Sequence, residues 1–483
     1  MSTVTLLILC VCVLVVNMDI TIINVAIGTI AQSLHATTSD IQWVTAIYTL
    51  AGAAAIIVTG SLSDRFGTRN VLAAGIGLFG VASALGAWAP SVGWVVLARA
   101  VMGLGSAAIL TASLAFITKL GSEGEAKRAL GYWSAAAALG LPLGPIVCGL
   151  LLDRYWWGSI FLINVVVCVA GLVVVVAVMP NIRAPQVRPV DWISVALLAA
   201  SMSSFIFGLI YVGVPGSTAG AVIAICGSLV FGVVFGVRQK GSRTPLIAAE
   251  RVKNWSFAGS ITTLTILFLV MAVVLFTIPV FLQFGHELEV LDVGVRILPL
   301  AVFLAVAAST AGRVSSSVKP EWIAASGLAF ALLGVSGLAV FGVGMPQFGL
   351  IAALAAIGLG VGLAQPTTLG SAMHAFPAGE RGVAAGVINS ARLSFNAIGV
   401  ALVGVVTAVG MSWNLDVLPT AAGGAAQDSW VEQGSRSCSS TGDVAVCSAY
   451  TSSLSLLYAV CGVLLLLALG TLVGSMRSNR SAV

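Results

Sequence analysis

The sequence predicts an all-α polytopic membrane protein with fourteen membrane spans. Of its 483 residues, 59% are hydrophobic and only 8% are charged, whereas about a quarter of the residues in ordinary soluble domains are charged. Apolar runs of about 20 residues, enough for a helix to cross a bilayer, recur along the whole chain. The basic residues are scattered between these runs, so the lipid bilayer is an expected partner and nucleic acid is not.

Short polar or Pro/Gly-rich segments separate the predicted spans. The spans cover residues 6–27, 43–60, 70–89, 94–117, 130–152, 160–179, 191–213, 219–237, 257–284, 295–314, 322–344, 348–371, 384–410 and 452–475. With the N-terminus inside the cell, most Lys and Arg residues between spans are cytoplasmic, and Arg154, Arg296 and Arg436 are outside. The positive-inside rule therefore predicts that both termini are cytoplasmic. These short segments leave no room for a nucleotide-binding domain, so we expect a transmembrane gradient, and no cofactor or metal, to supply energy.

Asp19 is the most informative single residue, because it lies inside the first apolar run, residues 6–27. It is about 20 Å along the helix from the start of that run, where an ionised Asp costs about 2.5–3.5 kcal/mol to insert. Such a carboxylate faces a protein interior or a water-filled cavity, and it is usually functional. The alternative is a structural carboxylate that Thr21, Asn24 or a polar neighbour on another helix satisfies.

The one long outer loop, predicted over residues 413–450, contains Cys438 and Cys447. This loop faces the oxidising side of the membrane, where disulfides persist. We expect a disulfide between the two cysteines, and two unpaired loop cysteines are the alternative.

The loop after the second span reads Gly60-Ser-Leu-Ser-Asp64-Arg65-Phe66-Gly67-Thr68-Arg69. It resembles the loop signature of the major facilitator superfamily, with Thr68 in place of one of the usual paired basic residues. The resemblance implies that this loop latches two helical halves in one conformation and releases them in the other. A turn that anchors topology through Arg65 and Arg69 would explain the charges but not the Asp and Gly spacing.

Three further segments resemble the fourteen-span drug:proton antiporters of that superfamily. Residues 18–26 are similar to the first-span signature around Asp19, and residues 97–105 to a fourth-span motif built around Arg99, although Met102 replaces its usual glutamine. The fifth span resembles a signature that antiporters share, a kink motif that contains Gly140, Pro142, Gly144, Pro145 and Gly149. A merely structural kink is the alternative.

The resemblance implies the major facilitator fold, with two six-helix bundles and two inserted helices. We expect an N-terminal bundle over residues 1–180, an inserted pair and cytoplasmic linker over 181–256, and a C-terminal bundle over 257–483. Members of this fold work by rocking the two bundles about a site near the midplane of the bilayer. The implied location is the bacterial cytoplasmic membrane, and we expect a monomer.

The function implied is proton-coupled efflux of amphipathic drugs or antibiotics. Asp19, the only acidic residue deep in a predicted span, would carry the proton, and Arg99 would help to discharge it unless it is only a structural ion-pair partner. Because a second deep carboxylate is lacking, neutral or monocationic substrates are favoured. Side chains expected to line the cavity, unless they merely pack, are Tyr48, Trp133, Phe281, Gln283, Gln365, Asn389 and Phe395.

Two other function classes fit the sequence less well. A proton-coupled transporter of a specific metabolite or lipid, by export or symport, would keep the same fold and loop signature. A membrane enzyme would need a serine–histidine pair or a cluster of metal ligands within the spans. His35, His286 and His374 all lie near span ends or in loops, so no enzyme is expected.

Overall fold

The chain is all-helical over the residues that the computed structural model describes. Those residues are 3–34, 36, 38–119, 123–183, 191–211, 218–241, 255–286, 288, 290–315, 317–343, 345–374, 376, 381–414, 438 and 444–480. Most of the predicted outer loop, much of the predicted linker after residue 181, and His35 lie outside the described residues.

Fourteen α-helices are present in this described part of the chain. They are α1 (Thr3–Leu34), α2 (Thr38–Phe66), α3 (Thr68–Ala87), α4 (Val92–Lys119), α5 (Glu123–Leu152), α6 (Ser159–Val178), α7 (Trp192–Tyr211), α8 (Thr218–Gly241), α9 (Trp255–Val280), α10 (Val290–Val314), α11 (Pro320–Phe341), α12 (Gln347–His374), α13 (Arg381–Asn414) and α14 (Val444–Arg480). Ten of the described helices, or eleven if the bent α2 is counted, are long and apolar enough to cross a membrane. The chain is therefore a multi-pass membrane protein, and the number fourteen for its spans stays a prediction.

Local sequence explains where several helices begin and end. Gly67, at φ 96°, separates α2 from α3. Pro320 occupies the first turn of α11, where its missing N–H has no intrahelical role. Gly342, at φ 72°, ends that helix, and its N–H donates to the carbonyl of Leu338 at 3.0 Å. In α9, Pro279 precedes a π-helical turn over Phe281–Gly285, because a proline inside a helix removes a backbone hydrogen bond.

Two hydrophobic clusters form the interior. The first fills the space among α1–α6 and reaches Phe268 and Ile388 of the later helices. The second fills the space among α9–α14 and takes in Ala135 of α5. The two groups of helices meet where α5 packs against α10 and where α2 packs against α13. The domain bounds given above stay predictions.

The pair α7 and α8 lies beside this junction. Helix α7 packs against α8, α2 and α13, and Arg238 of α8 makes a bidentate ion pair with Asp191, with Nε–Oδ2 and Nη2–Oδ1 both 3.0 Å. Much of α8 presents exposed apolar side chains, among them Ile223 and Val237. A surface of this kind suits lipid.

Candidate functional site

Asp19 is buried at the centre of a polar cluster among α1, α2, α4 and α6. The residue is only 2% exposed. Its Oδ2 forms an ion pair with Nη1 of Arg99, and its Oδ1 accepts a hydrogen bond from Nδ2 of Asn164 at 2.9 Å. Both carboxylate oxygens therefore have partners, one cationic and one neutral. A buried carboxylate needs such partners, because the loss of its hydration costs several kcal/mol. Removing one partner of a buried ion pair costs about 3–5 kcal/mol.

Arg99 of α4 contacts α1 and α2 through its guanidinium group and is itself 1% exposed. Its Nε donates to the carbonyl oxygen of Val44 at 3.2 Å. Its guanidinium carbon lies 4.3 Å from the centre of the Tyr48 ring. The hydroxyl of Tyr48 in turn donates to the carbonyl oxygen of Val16 in α1, at 3.2 Å. Removing the Asp19 charge would leave this arginine without its anion.

Glycines of the fifth-helix motif bring α5 against the backbone of α1 beside Asp19. A Cβ atom on Gly144 would lie 2.1 Å from Oγ1 of Thr21 and 2.9 Å from both the carbonyl oxygen of Met18 and the N of Ile22. A Cβ on Gly140 would lie 2.4 Å from the carbonyl oxygen of Leu14. Only glycine permits these approaches.

Among the described residues, the structure shows no comparable close contact with α1 at Gly149, another member of the fifth-helix motif. Gly149 would place a Cβ in open space, with no atom within 4 Å. Pro145 is half-buried, and the side chain of Pro142 lies outside the described residues. The close contact of α1 with α5 therefore belongs to Gly140 and Gly144.

A second arginine, Arg392 of α13, lies close to the Asp19 cluster. It is 6% exposed, and its Nη1 donates to Oδ1 of Asn17 at 3.2 Å. The amide nitrogen of Asn17 donates to the carbonyl oxygen of Val13, at 2.8 Å. Asn17 is two residues from Asp19, so α13 of the second helix group contacts α1 within one helical turn of Asp19.

The predicted cavity residues fall into different environments. Tyr48 is in the cluster with Arg99. Trp133 is buried, and its indole N–H donates to the Ser113 hydroxyl at 3.1 Å, so its polar edge is directed at α4. Phe281 is buried in the second hydrophobic cluster, with its ring centre 5.2 Å from that of His286. Both side chains are packed against other residues of the protein, and their role in a substrate cavity stays a prediction.

The remaining candidates are nearer the junction of the two helix groups. Phe395 packs against both hydrophobic clusters. Asn389 is buried, and its Nδ2 donates to the carbonyl oxygen of Ala385 at 3.0 Å. Gln365 is buried in α12. Gln283 belongs to the π-helical turn, a feature frequent at functional sites, but its side chain lies outside the described residues.

The segment predicted as a loop, residues 60–69, is helical except at Gly67, because residues 60–66 continue α2 and Thr68 begins α3. It makes several contacts within the first helix group. Asp64 pairs with Nζ of Lys119 at the end of α4, at 2.7 Å. The N–H of Thr68 donates to the carbonyl of Ile182 at 3.0 Å, and Arg69 Nη1 donates to that of Met179 at 3.4 Å. Gly60 is buried, whereas Arg65 is exposed. The loop is thus tied to α4 and to the segment after α6, and its latch role stays a prediction.

Replacing Gly67 by Ala should strain this loop. Gly67 has φ 96° and ψ 149°, a region that costs a non-glycine residue about 1–3 kcal/mol. The new Cβ would also lie 2.0 Å from Oδ1 of Asn181. We expect Gly67→Ala to lower the melting temperature in detergent and slow transport. Gly77→Ala, where no atom lies within 4 Å of the new Cβ, is the matched control.

A double variant separates the two causes. Gly67→Ala with Asn181→Ala removes the clash but keeps the backbone strain, so it should recover only part of the lost stability. Full recovery would mean that φ at Gly67 is unimportant.

The structure joins Cys438 and Cys447 by a disulfide, with a Cα–Cα distance of 4.8 Å. Cys447 lies in the first turns of α14, which begins at Val444, so the predicted outer loop, 413–450, includes the start of that helix. The helix continues beyond the apolar run of its sequence, since a helix that leaves the bilayer need not stop there.

Three polar residues of the site were not among the predicted site residues. Asn17 and Asn164 are amides inside apolar runs, and Arg392 is an arginine within a predicted span. The sequence signal that could have identified these residues is their position inside apolar runs, where a polar group exposed to lipid is energetically costly. That signal marks them as buried against protein, but it does not tell which helices they join.

Comparison with known proteins identifies similar chains. The sequence profile of the Major Facilitator Superfamily matches residues 9–400. The chain is 29% identical over 415 residues to the multidrug efflux pump LfrA of Mycolicibacterium smegmatis, covering 86% of this chain and 82% of that protein. It is 30% identical over 444 residues to the tetracenomycin C resistance and export protein of Streptomyces glaucescens, covering 89% and 78%.

A solved structure has a similar fold. The crystal structure of the human organic anion transporter MFSD10 (TETRAN) matches with a TM-score of 0.63 and 14% sequence identity. The match covers 96% of this chain and 99% of that one. At this identity the likeness concerns the fold alone.

Proposed function

The chain belongs to the major facilitator superfamily and is a membrane transporter rather than an enzyme, and on that premise we propose that it exports amphipathic drugs or antibiotics in exchange for protons. We place it among the fourteen-span drug:proton antiporters. We further propose that it works as a monomer in the bacterial cytoplasmic membrane, with both termini inside the cell, and that it needs no cofactor. Relatives named as multidrug and antibiotic exporters support the substrate class.

The observation that carries the proposal is the buried pair of Asp19 and Arg99. In the deprotonated state Asp19 is neutralised by Arg99 and bonded by Asn164. A proton on Asp19 removes the charge that holds Arg99, so the contacts among α1, α2 and α4 are weakened. Protonation is thereby linked to the packing of the helices that would rock during transport.

The energy of one proton moving across the membrane is sufficient to drive export. Moving one charge through 100 mV is worth about 2.3 kcal/mol, which sustains a substrate gradient of roughly 50-fold at about 1.4 kcal/mol per factor of ten. One proton per cycle can therefore drive export. Asp19 is the only acidic residue that the sequence predicts deep within a span, and this favours neutral or monocationic substrates over dications.

Everted vesicles that contain the wild-type chain test this function. A pH-sensitive dye reports the respiration-driven gradient, and a panel of dyes, antibiotics and lipophilic cations is added in turn. We expect at least one compound to release protons from the vesicles, and nigericin, which collapses the pH gradient, to abolish uptake of that compound. No proton release with any compound of the panel would contradict the proposal and favour the alternative, a proton-coupled transporter of a specific metabolite or lipid.

A further inference from the structure

Arg392 is a buried cation that the proton-coupling pair does not use. It is 6% exposed, and only its Nη1 has an acceptor, the side-chain oxygen of Asn17 at 3.2 Å. Its Nε and Nη2 are buried and have no hydrogen-bond partner among the described residues. A buried guanidinium group with two unsatisfied donors is costly, because it loses its hydration without replacement.

The charges around Arg392 do not balance. The charged side chains of the described site are Arg392, Arg99 and Asp19. Both oxygens of Asp19 are already bonded, by Arg99 and by Asn164. The site therefore has an excess positive charge when Asp19 is ionised, and a larger one when Asp19 carries a proton.

The two free donors form one edge of the guanidinium group. The Nε–H and Nη2–H bonds of an arginine are nearly parallel, which lets them hold both oxygens of a carboxylate. The same edge is used elsewhere in this protein, since Arg238 binds Asp191 through Nε and Nη2, both at 3.0 Å. Arg392 offers this edge without a carboxylate to fill it.

Arg392 also lies where the two helix groups meet. It comes from α13 and bonds to Asn17 of α1. Asn389 and Phe395 are three residues away on either side, so they lie near the same face of α13. Phe395 packs against both hydrophobic clusters. Transporters of this kind bind substrate at such a junction, near the midplane.

We propose that Arg392 is a substrate-binding residue, whose free Nε–H and Nη2–H edge binds a carboxylate or conjugated carbonyl oxygen of the transported molecule. This proposal depends on the proposed function, because it takes the ligand of Arg392 to be the exported substrate. It refines the substrate class, because a fixed cation beside Asp19 disfavours monocations and favours neutral, acceptor-rich molecules and monoanions.

Equilibrium binding to the purified full-length protein tests this proposal without a proton gradient. The probes are two xanthene dyes that differ only in a free carboxylate and its ethyl ester, and fluorescence anisotropy gives each dissociation constant. We expect the wild type to bind the acid about tenfold to a hundredfold more tightly, the size of a charge-assisted hydrogen bond. Arg392→Gln should remove this preference, and Arg392→Lys, which keeps the charge but loses the two-pronged edge, should keep part of it.

Three comparisons make the outcome decisive. Arg238→Gln breaks a bidentate pair outside the site and should leave the acid preference unchanged. Asp19→Asn removes the nearby negative charge and should strengthen the acid preference while it abolishes coupling, so a failure of proton coupling is separable from a failure of this proposal. Equal binding of acid and ester by the wild type, binding of neither, or an unchanged preference in Arg392→Gln would overturn it, and the wild-type comparison does so even if the variant fails to fold.

Discussion

Asp19→Asn should abolish concentrative export. With one proton per cycle, the wild type sustains a substrate gradient of roughly 50-fold at 100 mV, and the variant should sustain none. Asparagine has nearly the shape of aspartate and still hydrogen-bonds, but it neither carries nor releases a proton at this site. The measurement is pH-driven substrate uptake into proteoliposomes, compared with substrate exchange at zero gradient, which the variant should retain.

Loss of the Asp19 charge also affects stability, and the experiment must separate the two effects. Arg99 would remain buried without its anion, at a cost of about 3–5 kcal/mol. The double variant Asp19→Asn with Arg99→Gln removes that unpaired cation, so it should regain stability but not coupling. Asp191→Asn, at a carboxylate–arginine pair outside the site, is the matched control and should export normally. Coupled export by a stable Asp19→Asn protein would contradict the proton-carrier role.

Gly144→Val should prevent α1 and α5 from packing. The Cβ atom alone would lie 2.1 Å from the Thr21 hydroxyl and 2.9 Å from backbone atoms of Met18 and Ile22. Overpacking of a close contact costs about 1–3 kcal/mol and sometimes more, and backbone atoms cannot turn aside as a side chain can. We expect little monodisperse protein by fluorescence-detected size-exclusion chromatography, and a markedly lower melting temperature for what remains.

Gly149→Val is the control for this effect, since it makes the same substitution in the same helix and motif. No atom lies within 4 Å of a Cβ at Gly149, so this variant should be as stable as the wild type. Adding Thr21→Ala to Gly144→Val removes only the side-chain clash and should recover stability in part. Equal behaviour of the two valine variants would mean that the motif does not act through the contact of α1 with α5.

The sequence predicts the helical class well, because insertion into lipid imposes long apolar runs with polar joints between them. The predicted first span, residues 6–27, lies within α1 (Thr3–Leu34), and the predicted last span, 452–475, lies within α14 (Val444–Arg480). The helices are longer than the spans because hydropathy reports the length in contact with lipid. A helix can continue past that length into water or into contact with other segments.

The partners within the site are harder to predict. The cost of a charge in lipid identifies Asp19 and Arg99 as buried polar residues, but Asn164 contacts Asp19 across 145 positions of sequence. Arg392 reaches Asn17 across 375. Contacts of this kind depend on how the helices are arranged, which apolar periodicity does not specify. Trp133 illustrates the same limit, since its position in a span does not tell that its N–H bonds to Ser113.

The proton-carrier role of Asp19 is tested most directly by proton release from the purified protein on substrate binding. A pH indicator in weakly buffered detergent solution reports protons as a transported compound is added. The wild type should release a proton when substrate binds, because in this account the proton on Asp19 and the substrate exclude each other. Asp19→Asn should bind the compound and release none. Release of the same number of protons by Asp19→Asn would contradict the role assigned to this carboxylate.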